Sequence, residues 1–232
     1  MRFLLFTLFF VVLHSFVSFA QSDLYGVWTN FTVKKTWNDD WNTIIDAEFR
    51  TYDYIDQFDK FRMGAHVNYT LAPALNFGFG YNFFRTYDKP YDNFQMQHRL
   101  QLQTNYSLKM NRFTLSVRER IQSLIRDNSN RFDLSNPSVI QVFTSKWTWR
   151  NMLQLSYDIP KYTLTPSVSA ESFYDLNVSP NLPFQLIRYK FAIKKKLSKS
   201  HAVQLYHIIN SNPTGPNHQG KYILGAAYHF DF

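Results

Sequence analysis

The chain has 232 residues, a formal net charge of +8 at pH 7 and no cysteine. The lack of cysteine excludes a disulfide framework and a lipoprotein anchor. Aromatic residues make up 19% of the sequence, yet the mean hydropathy is −0.34 and no apolar run reaches the roughly twenty residues of a membrane-spanning helix. This combination favours strands that have one apolar and one polar face, as in a β-barrel that crosses a bilayer.

Residues 1–20 predict a cleaved secretory signal peptide. One positive charge, Arg2, precedes an apolar run from Phe3 to Leu13, and the small residues Ser18 and Ala20 precede the predicted cleavage site. An uncleaved anchor is the alternative, but an apolar run of about eleven residues is short for a spanning helix. Export through the Sec pathway would leave residues 21–232 as one barrel domain.

Apolar and polar side chains alternate with a period of two along most of residues 21–232, as in strands and not with the 3.6-residue period of a helix. In Phe94–Leu108, for example, Met96, Leu100 and Leu102 share one face, and the positions between them on the other face are polar. Eleven segments have this pattern: 25–35, 43–53, 60–71, 75–86, 94–108, 113–126, 145–157, 162–174, 184–197, 201–211 and 220–232.

Short connections between these segments alternate with longer ones around residues 55–59, 88–93, 127–144, 175–183 and 211–219. Short periplasmic turns and longer extracellular loops are typical of bacterial outer-membrane barrels. We therefore predict an all-β fold, a single antiparallel up-and-down transmembrane β-barrel of 10–12 strands in the outer membrane of a Gram-negative bacterium. Twelve strands are slightly favoured over the eleven counted, because such barrels have even strand numbers.

The C-terminal segment has an apolar residue at every second position up to Phe232. In the orientation above, it descends to the periplasmic side, where an aromatic girdle meets the membrane interface. Tyr228, Phe230 and Phe232 resemble the C-terminal assembly signal by which outer-membrane barrels are recognised for insertion. The predicted partners are therefore the lipid bilayer, lipopolysaccharide and the outer-membrane insertion machinery.

A series of sequence motifs carries a family resemblance. In order, they are GVWTNFTVKK, EFRTYD, GFGYNFF, QHRLQLQTNYSL, RERIQ, WRNMLQLSYDI, LTPSVSAESFYD, RYKFAIKKKLSK and LYHIIN, and they extend over nearly all of residues 21–232. Their order and spacing resemble the uncharacterised outer-membrane barrel family catalogued as domain of unknown function 2490, common in Bacteroidota. The resemblance implies the barrel fold, but it implies no activity.

If the apolar faces contact lipid, the opposite faces line the interior of the barrel. The predicted lumen-lining set is Asp46, Glu48, Arg50, Arg62, His66, Arg99, Arg118, Arg120, Arg150, Glu171, Arg188, Lys190 and Lys194. Two interpretations stay open at this point: the charges pair with one another and fill the interior, or a basic constriction selects or binds a small anionic solute. Glu119 falls on the lipid-facing set, which predicts a local bulge or an error in the face assignment.

A catalytic site is not predicted. The sequence HIINSN offers His207, Asn210 and Ser211 for lipid hydrolysis, but residues four apart in a strand are about 13 Å apart at roughly 3.3 Å per residue. A general base must lie within about 3 Å of its nucleophile. No cofactor or metal motif is predicted, and an exported barrel meets no nucleic acid.

The favoured function is an outer-membrane channel or solute-binding barrel with a basic, arginine-lined lumen. The alternative is a non-conducting structural or partner-binding barrel of the cell envelope, and an outer-membrane lipid hydrolase is a minor third.

Overall fold

Eleven β-strands dominate a computed structural model that describes residues 24–52, 57–88, 92–127, 144–177, 184–211 and 221–232. The strands are β1 (Leu24–Thr36), β2 (Trp41–Tyr52), β3 (Gln57–Ala72), β4 (Leu75–Asp88), β5 (Asn93–Met110), β6 (Phe113–Arg126), β7 (Thr144–Tyr157), β8 (Leu164–Asp175), β9 (Phe184–Lys196), β10 (His201–Ser211) and β11 (Lys221–Asp231). The predicted signal peptide, residues 1–20, and most of the predicted long loops lie outside the described residues.

The strands form a closed barrel in which every strand pairs with its neighbours in sequence. All consecutive pairs are antiparallel, and β1 pairs with β11 in parallel from Leu24 opposite Lys221 to Lys34 opposite Asp231. The predicted all-β, up-and-down barrel of 10–12 strands is confirmed, and its sheet is antiparallel except at the closing pair, but the slight preference for twelve strands is wrong. An odd number of up-and-down strands makes the first and last strands run in the same direction, so the closing pair must be parallel.

The predicted segments agree with the strands within a few residues. One local difference precedes β8, where residue 162 was expected to begin a strand. Instead, Pro160–Tyr162 form one turn of 3₁₀ helix, and Thr163 follows in the left-handed region with φ 53°. Proline pre-sets the backbone angle of such a turn, and the sheet therefore resumes only at Leu164.

The two faces of the sheet differ in polarity. Outward side chains are largely apolar and exposed: Leu205 is 67% exposed, Leu224 64% and Leu102 63%. Inward side chains include buried charged and amide groups, such as Arg150 and Gln101. Within the described residues, no helix has the length and hydropathy to cross a membrane.

Aromatic side chains pair on the outer face near both ends of the barrel. At the end with the short turns, the rings of Trp41 and Tyr69 are 4.8 Å apart and those of Phe113 and Tyr157 are 4.7 Å apart. At the opposite end, similar pairs form between Tyr25 and Tyr222 and between Tyr174 and Phe184. The apolar outer band is therefore bordered by aromatic rings on both sides, the arrangement of the interfacial girdles of membrane barrels.

Phe232 lies at the end with the short turns and continues the pairing of β11 with β1. Its backbone N–H donates to the carbonyl of Lys34, and its carbonyl accepts from the N–H of Thr36, both at 3.0 Å. The Lys35 ammonium is 4.4 Å from the centre of its ring, which stacks on Phe230. These contacts place the ring within the aromatic border, whereas its role in assembly stays a prediction.

Candidate functional site on the inner face of the barrel

The inner face is identified by side chains that reach over an intervening strand. Arg118 on β6 donates from Nη2 to Oε1 of Glu171 on β8 at 2.7 Å, across β7. Gln101 on β5 contacts His66 on β3 at 3.2 Å, across β4. Such contacts require side chains on the concave side of a curved sheet, so these residues lie inside the barrel.

Three arginines on three strands surround one carboxylate, an arrangement that we call the Glu171 cluster (Arg118, Arg150, Glu171, Arg188). Arg150 donates from Nε and Nη2 to the two carboxylate oxygens of Glu171 at 3.1 and 2.8 Å. Arg188 Nη1 is 3.9 Å from Oε2. Arg150 and Glu171 are 7% and 5% exposed, and the bidentate contact offsets the cost of burying both charges.

A second group of charges lies on β2 and β3 and forms the Asp46 cluster (Asp46, Glu48, Arg50, Arg62, His66). Arg62 forms an ion pair with Asp46 and lies 3.7 Å from Glu48. His66 Nε2 is 2.9 Å from Oδ2 of Asp46, and Arg50 Nε donates to Glu48 at 2.6 Å. Because the two carboxylates meet two arginines here, this cluster is close to neutral when His66 is uncharged.

Arg99 and Arg120 are inward arginines that form no ion pair with a carboxylate within the described residues. Arg120 donates from Nε and Nη2 to the side-chain oxygen of Gln103 at 3.1 and 2.7 Å. Arg99 lies over the ring of Phe84 at 4.7 Å, and its Nε is buried with no hydrogen-bond partner in the described part of the chain. Their positive charges therefore lack the compensation that the arginines of the Glu171 and Asp46 clusters have.

Inward lysines extend this basic surface. Lys190 lies 4.1 Å above the ring of Tyr206, and Lys60 lies 5.6 Å from the ring of Phe84. Lys194 is half-buried towards the short turn that follows β9. Every residue of the predicted lumen-lining set thus lies on a described strand with the alternation expected for the inner face, while the role of the set in a lumen stays a prediction.

An apolar surface on the inner face was missed by the sequence analysis. It consists of Trp28, Ala192, Tyr206, Ile208, Ile223 and Ala227, all at most 9% exposed. We call this the inner apolar patch, and it covers β9, β10, β11 and β1. Period-two alternation places these side chains on the inner face. They were missed because apolar residues were assumed to face lipid.

Glycines on the inner face provide space for neighbouring side chains. A Cβ at Gly225 would collide with the ring of Tyr206, and a Cβ at Gly64 would lie 2.8 Å from Oδ1 of Asn82 and 2.7 Å from Oδ2 of Asp46. Asn82 is completely buried, and neither polar atom of its amide has a hydrogen-bond partner among the described residues. The sequence signal for the close packing around Gly64 was a glycine at an inward strand position between the polar residues Arg62 and His66.

The prediction of a bulge or a wrong face at Glu119 is incorrect. β6 pairs without interruption with β5 and β7 around this residue. Glu119 points outward, and its Oε2 accepts a hydrogen bond of 2.8 Å from the indole of Trp149. The indole donor explains how the carboxylate is accommodated on an otherwise apolar face.

The three residues considered for hydrolysis do not converge. His207 faces outward and stacks on Tyr222, whereas Asn210 accepts a hydrogen bond from Arg188 on the inner face. Ser211, the last residue of β10, is on the outward set with His207. Among the described residues, no group of three His, Asp or Glu side chains could hold a metal ion.

The barrel is similar to solved porin structures. The NanC porin, in a rhombohedral crystal form, has a TM-score of 0.51 and 12% sequence identity, with 89% of this chain and 97% of that chain covered. A porin refined at 1.8 Å resolution has a TM-score of 0.38 at 15% identity and coverage of 85% and 59%. The anion-selective porin from Comamonas acidovorans has a TM-score of 0.34 at 13% identity, with coverage of 82% and 55%. The similarity to the NanC porin shows a shared barrel fold.

No curated protein sequence matches the chain. The model of one protein family, described as "Protein of unknown function (DUF2490)", matches residues 25–221. This range begins within β1 and ends at the first residue of β11, so it includes nearly the whole barrel. The chain therefore belongs to the DUF2490 family.

Proposed function

We propose that the protein is an outer-membrane channel whose basic lumen conducts or binds small anions. The observation that carries this proposal is the imbalance of charge on the inner face. Three arginines share the single carboxylate of Glu171, and Arg99 and Arg120 contact no carboxylate among the described residues. Guanidinium groups in a confined lumen attract anions and repel cations, because the low-dielectric wall strengthens their field.

The outer face supports a membrane location for this channel. A broad band of exposed leucine and aromatic side chains would favour association in water, whereas it is compatible with lipid between two aromatic borders. The porin-like fold and the predicted signal peptide agree with export by the Sec pathway to the outer membrane of a Gram-negative cell. In this orientation the short turns face the periplasm.

A second candidate function is a barrel that does not conduct and acts by binding a partner in the cell envelope. The observation in its favour is the inner apolar patch, where Ile208 is 4% exposed and Ile223 is 5% exposed. Side chains packed this closely occupy space on one side of the interior. An interior filled on all sides would hold the same arginines in ion pairs and leave no continuous path for ions.

Planar-bilayer recordings of the purified, refolded chain test the proposal. A salt gradient across the bilayer gives the reversal potential, and the proposed channel is expected to show stable conductance with a preference for anions. A folded protein that produces no conductance, or a pore that prefers cations, would contradict the proposal.

Location is tested separately by fractionating cell membranes. The protein is expected in the outer membrane, and it should migrate faster on a detergent gel before boiling than after boiling. Recovery of the folded chain in the soluble periplasm would contradict the membrane location.

A further inference from the structure

Four polar side chains form a row across the outer face of the barrel. Thr104 on β5 lies directly opposite Glu119 on β6, Glu119 lies opposite Asn151 on β7, and Asn151 lies opposite Ser172 on β8. We call Thr104, Glu119, Asn151 and Ser172 the polar row. Side chains directly opposite one another in a sheet are about 5 Å apart, so the row is a continuous surface.

Two residues of the polar row, Glu119 and Asn151, lie near the middle of their strands. Glu119 is in the middle of β6, between the outward residues Val117, which is 36% exposed, and Ile121, which is 47% exposed. On β7, Asn151 lies between Trp149 and Leu153. Glu119 and Asn151 are therefore near the centre of the apolar band, where a charged side chain that contacts lipid is costly.

The hydrogen-bonding groups of the row are only partly used. Trp149 donates to one carboxylate oxygen of Glu119, and this side chain is exposed on the outer face. Acyl chains can neither donate nor accept hydrogen bonds, so lipid would leave these groups unsatisfied. A protein surface with complementary polar groups would satisfy them.

The shape of the outer wall at this position is concave. A depression of about 760 Å³ includes Thr104, Glu119 and Trp149 in its lining, and a second of about 300 Å³ includes Glu119, Asn151 and Ser172. The two depressions meet at Glu119. An approaching surface could therefore contact the row between the two depressions.

We propose that the polar row is the contact surface of a homodimer within the membrane. Copies inserted in the same direction have their rows at the same depth, so a two-fold axis along the membrane normal brings one row against the other. The row is self-complementary, because it combines the carboxylate acceptor of Glu119 with the amide of Asn151 and the hydroxyl groups of Thr104 and Ser172. The Glu119 carboxylate of one copy then accepts from the Asn151 amide of the second copy.

This homodimer requires the membrane location proposed above but does not depend on conduction. The sequence has no cysteine, so one engineered thiol gives a unique cross-linking position. Ala170 is exposed on the outer face of β8, two residues from Ser172, whereas Ala226 is exposed on the outer face of β11. The variant Ala170→Cys therefore places a thiol next to the polar row, and Ala226→Cys is the matched control with a thiol away from it.

The experiment treats each full-length variant with a short bis-maleimide in lipid vesicles and measures the dimer yield after denaturation. Cross-linking is expected for Ala170→Cys and not for Ala226→Cys. Addition of Glu119→Leu and Asn151→Leu to Ala170→Cys should reduce the yield roughly five- to tenfold, as expected from the loss of one or two hydrogen bonds in the membrane. Folding of each variant is checked by its faster gel migration before boiling.

Asn151→Ala is the second variant if the double leucine variant does not fold, because it removes the amide and keeps the hydrogen bond between Trp149 and Glu119. It should also lower the dimer yield of Ala170→Cys. Equal cross-linking at Ala170→Cys and Ala226→Cys, a yield unchanged by either set of substitutions, or cross-linking only to a different protein in native membranes would overturn the proposal. Loss of membrane insertion by the unmodified chain would instead contradict the proposed location.

Discussion

Arg120 on β6 and Arg150 on β7 lie directly opposite each other on the inner face, yet only Arg150 contacts a carboxylate among the described residues. Like charges directly opposite in a sheet are destabilising. Glu171 compensates Arg150, whereas Arg120 is held by the neutral amide of Gln103. Substitution of Arg120 should therefore change mainly the ion selectivity, whereas substitution of Arg150 should change mainly the stability of the barrel.

The substitution Arg120→Gln should reduce anion selectivity and leave stability nearly unchanged. It removes a positive charge from the inner face without stranding a carboxylate, so the reversal potential in a salt gradient should move towards that of a non-selective pore. Arg85→Gln is the matched control, since Arg85 is an exposed arginine on the outer face of β4, next to the ring of Phe94. An equal change of selectivity in both variants would show that the position of Arg120 is irrelevant.

The substitution Glu171→Gln should strongly destabilise the barrel. It removes the carboxylate shared by Arg118, Arg150 and Arg188 and leaves buried cations uncompensated, at a cost of about 3–5 kcal/mol. The free energy of unfolding in urea, measured by tryptophan fluorescence in detergent, checks this expectation. Asp158→Asn is the control, because Asp158 is an exposed carboxylate in the turn after β7. A loss below about 1 kcal/mol, the range of surface ion pairs, would mean that the Glu171 cluster is solvated.

The substitution Gly225→Ala should destabilise the barrel because the added methyl group collides with the ring of Tyr206. Overpacking of this kind typically costs about 1–3 kcal/mol. In a Tyr206→Ala background the same substitution should be nearly neutral, since the obstructing ring is gone. The four proteins form a double-mutant cycle in urea unfolding. Equal costs in both backgrounds would contradict the contact between Gly225 and Tyr206.

The substitution Phe232→Asp should lower the amount of inserted barrel in cells. It replaces the ring that stacks on Phe230 and contacts Lys35, and it places a charge at the membrane interface, where aromatic residues are favoured. Leu197→Asp is the control, because Leu197 is 56% exposed in the turn after β9 at the same end of the barrel. The measurement is the fraction of protein in outer-membrane preparations that migrates faster before boiling. Similar losses in both variants would indicate a general effect of added charge at this end.

The strand positions could be predicted because alternation has a short period and depends on local sequence. Arg150 and Glu171, for example, are assigned to the inner face by counting along their own strands. The contact from Arg118 to Glu171 could not be predicted, because it passes over β7 and depends on the curvature of the closed sheet. Strand alternation predicts the face on which a residue lies, but it does not predict which strand an arginine side chain extends to.

The parity of the strand number and the inward apolar residues could not be predicted from the sequence, for different reasons. The parity of the strand number depends on how the first and last strands meet, which is a contact between residues nearly a whole chain apart. The inward positions of Trp28 and Ile223 contradict the rule that apolar side chains face lipid. In the barrel both side chains belong to the inner apolar patch. They are therefore buried in protein and not in lipid.

The parallel pairing of β1 with β11 has a consequence for the time course of folding. The ten antiparallel pairs join strands that follow each other in the chain, and each can form as a local hairpin. The β1–β11 pair joins Leu24 to Lys221, so its formation has to wait until all the strands between them have been arranged. We expect the closing pair to form last, and the unpaired edges of β1 and β11 to be the sites at which an incomplete barrel aggregates.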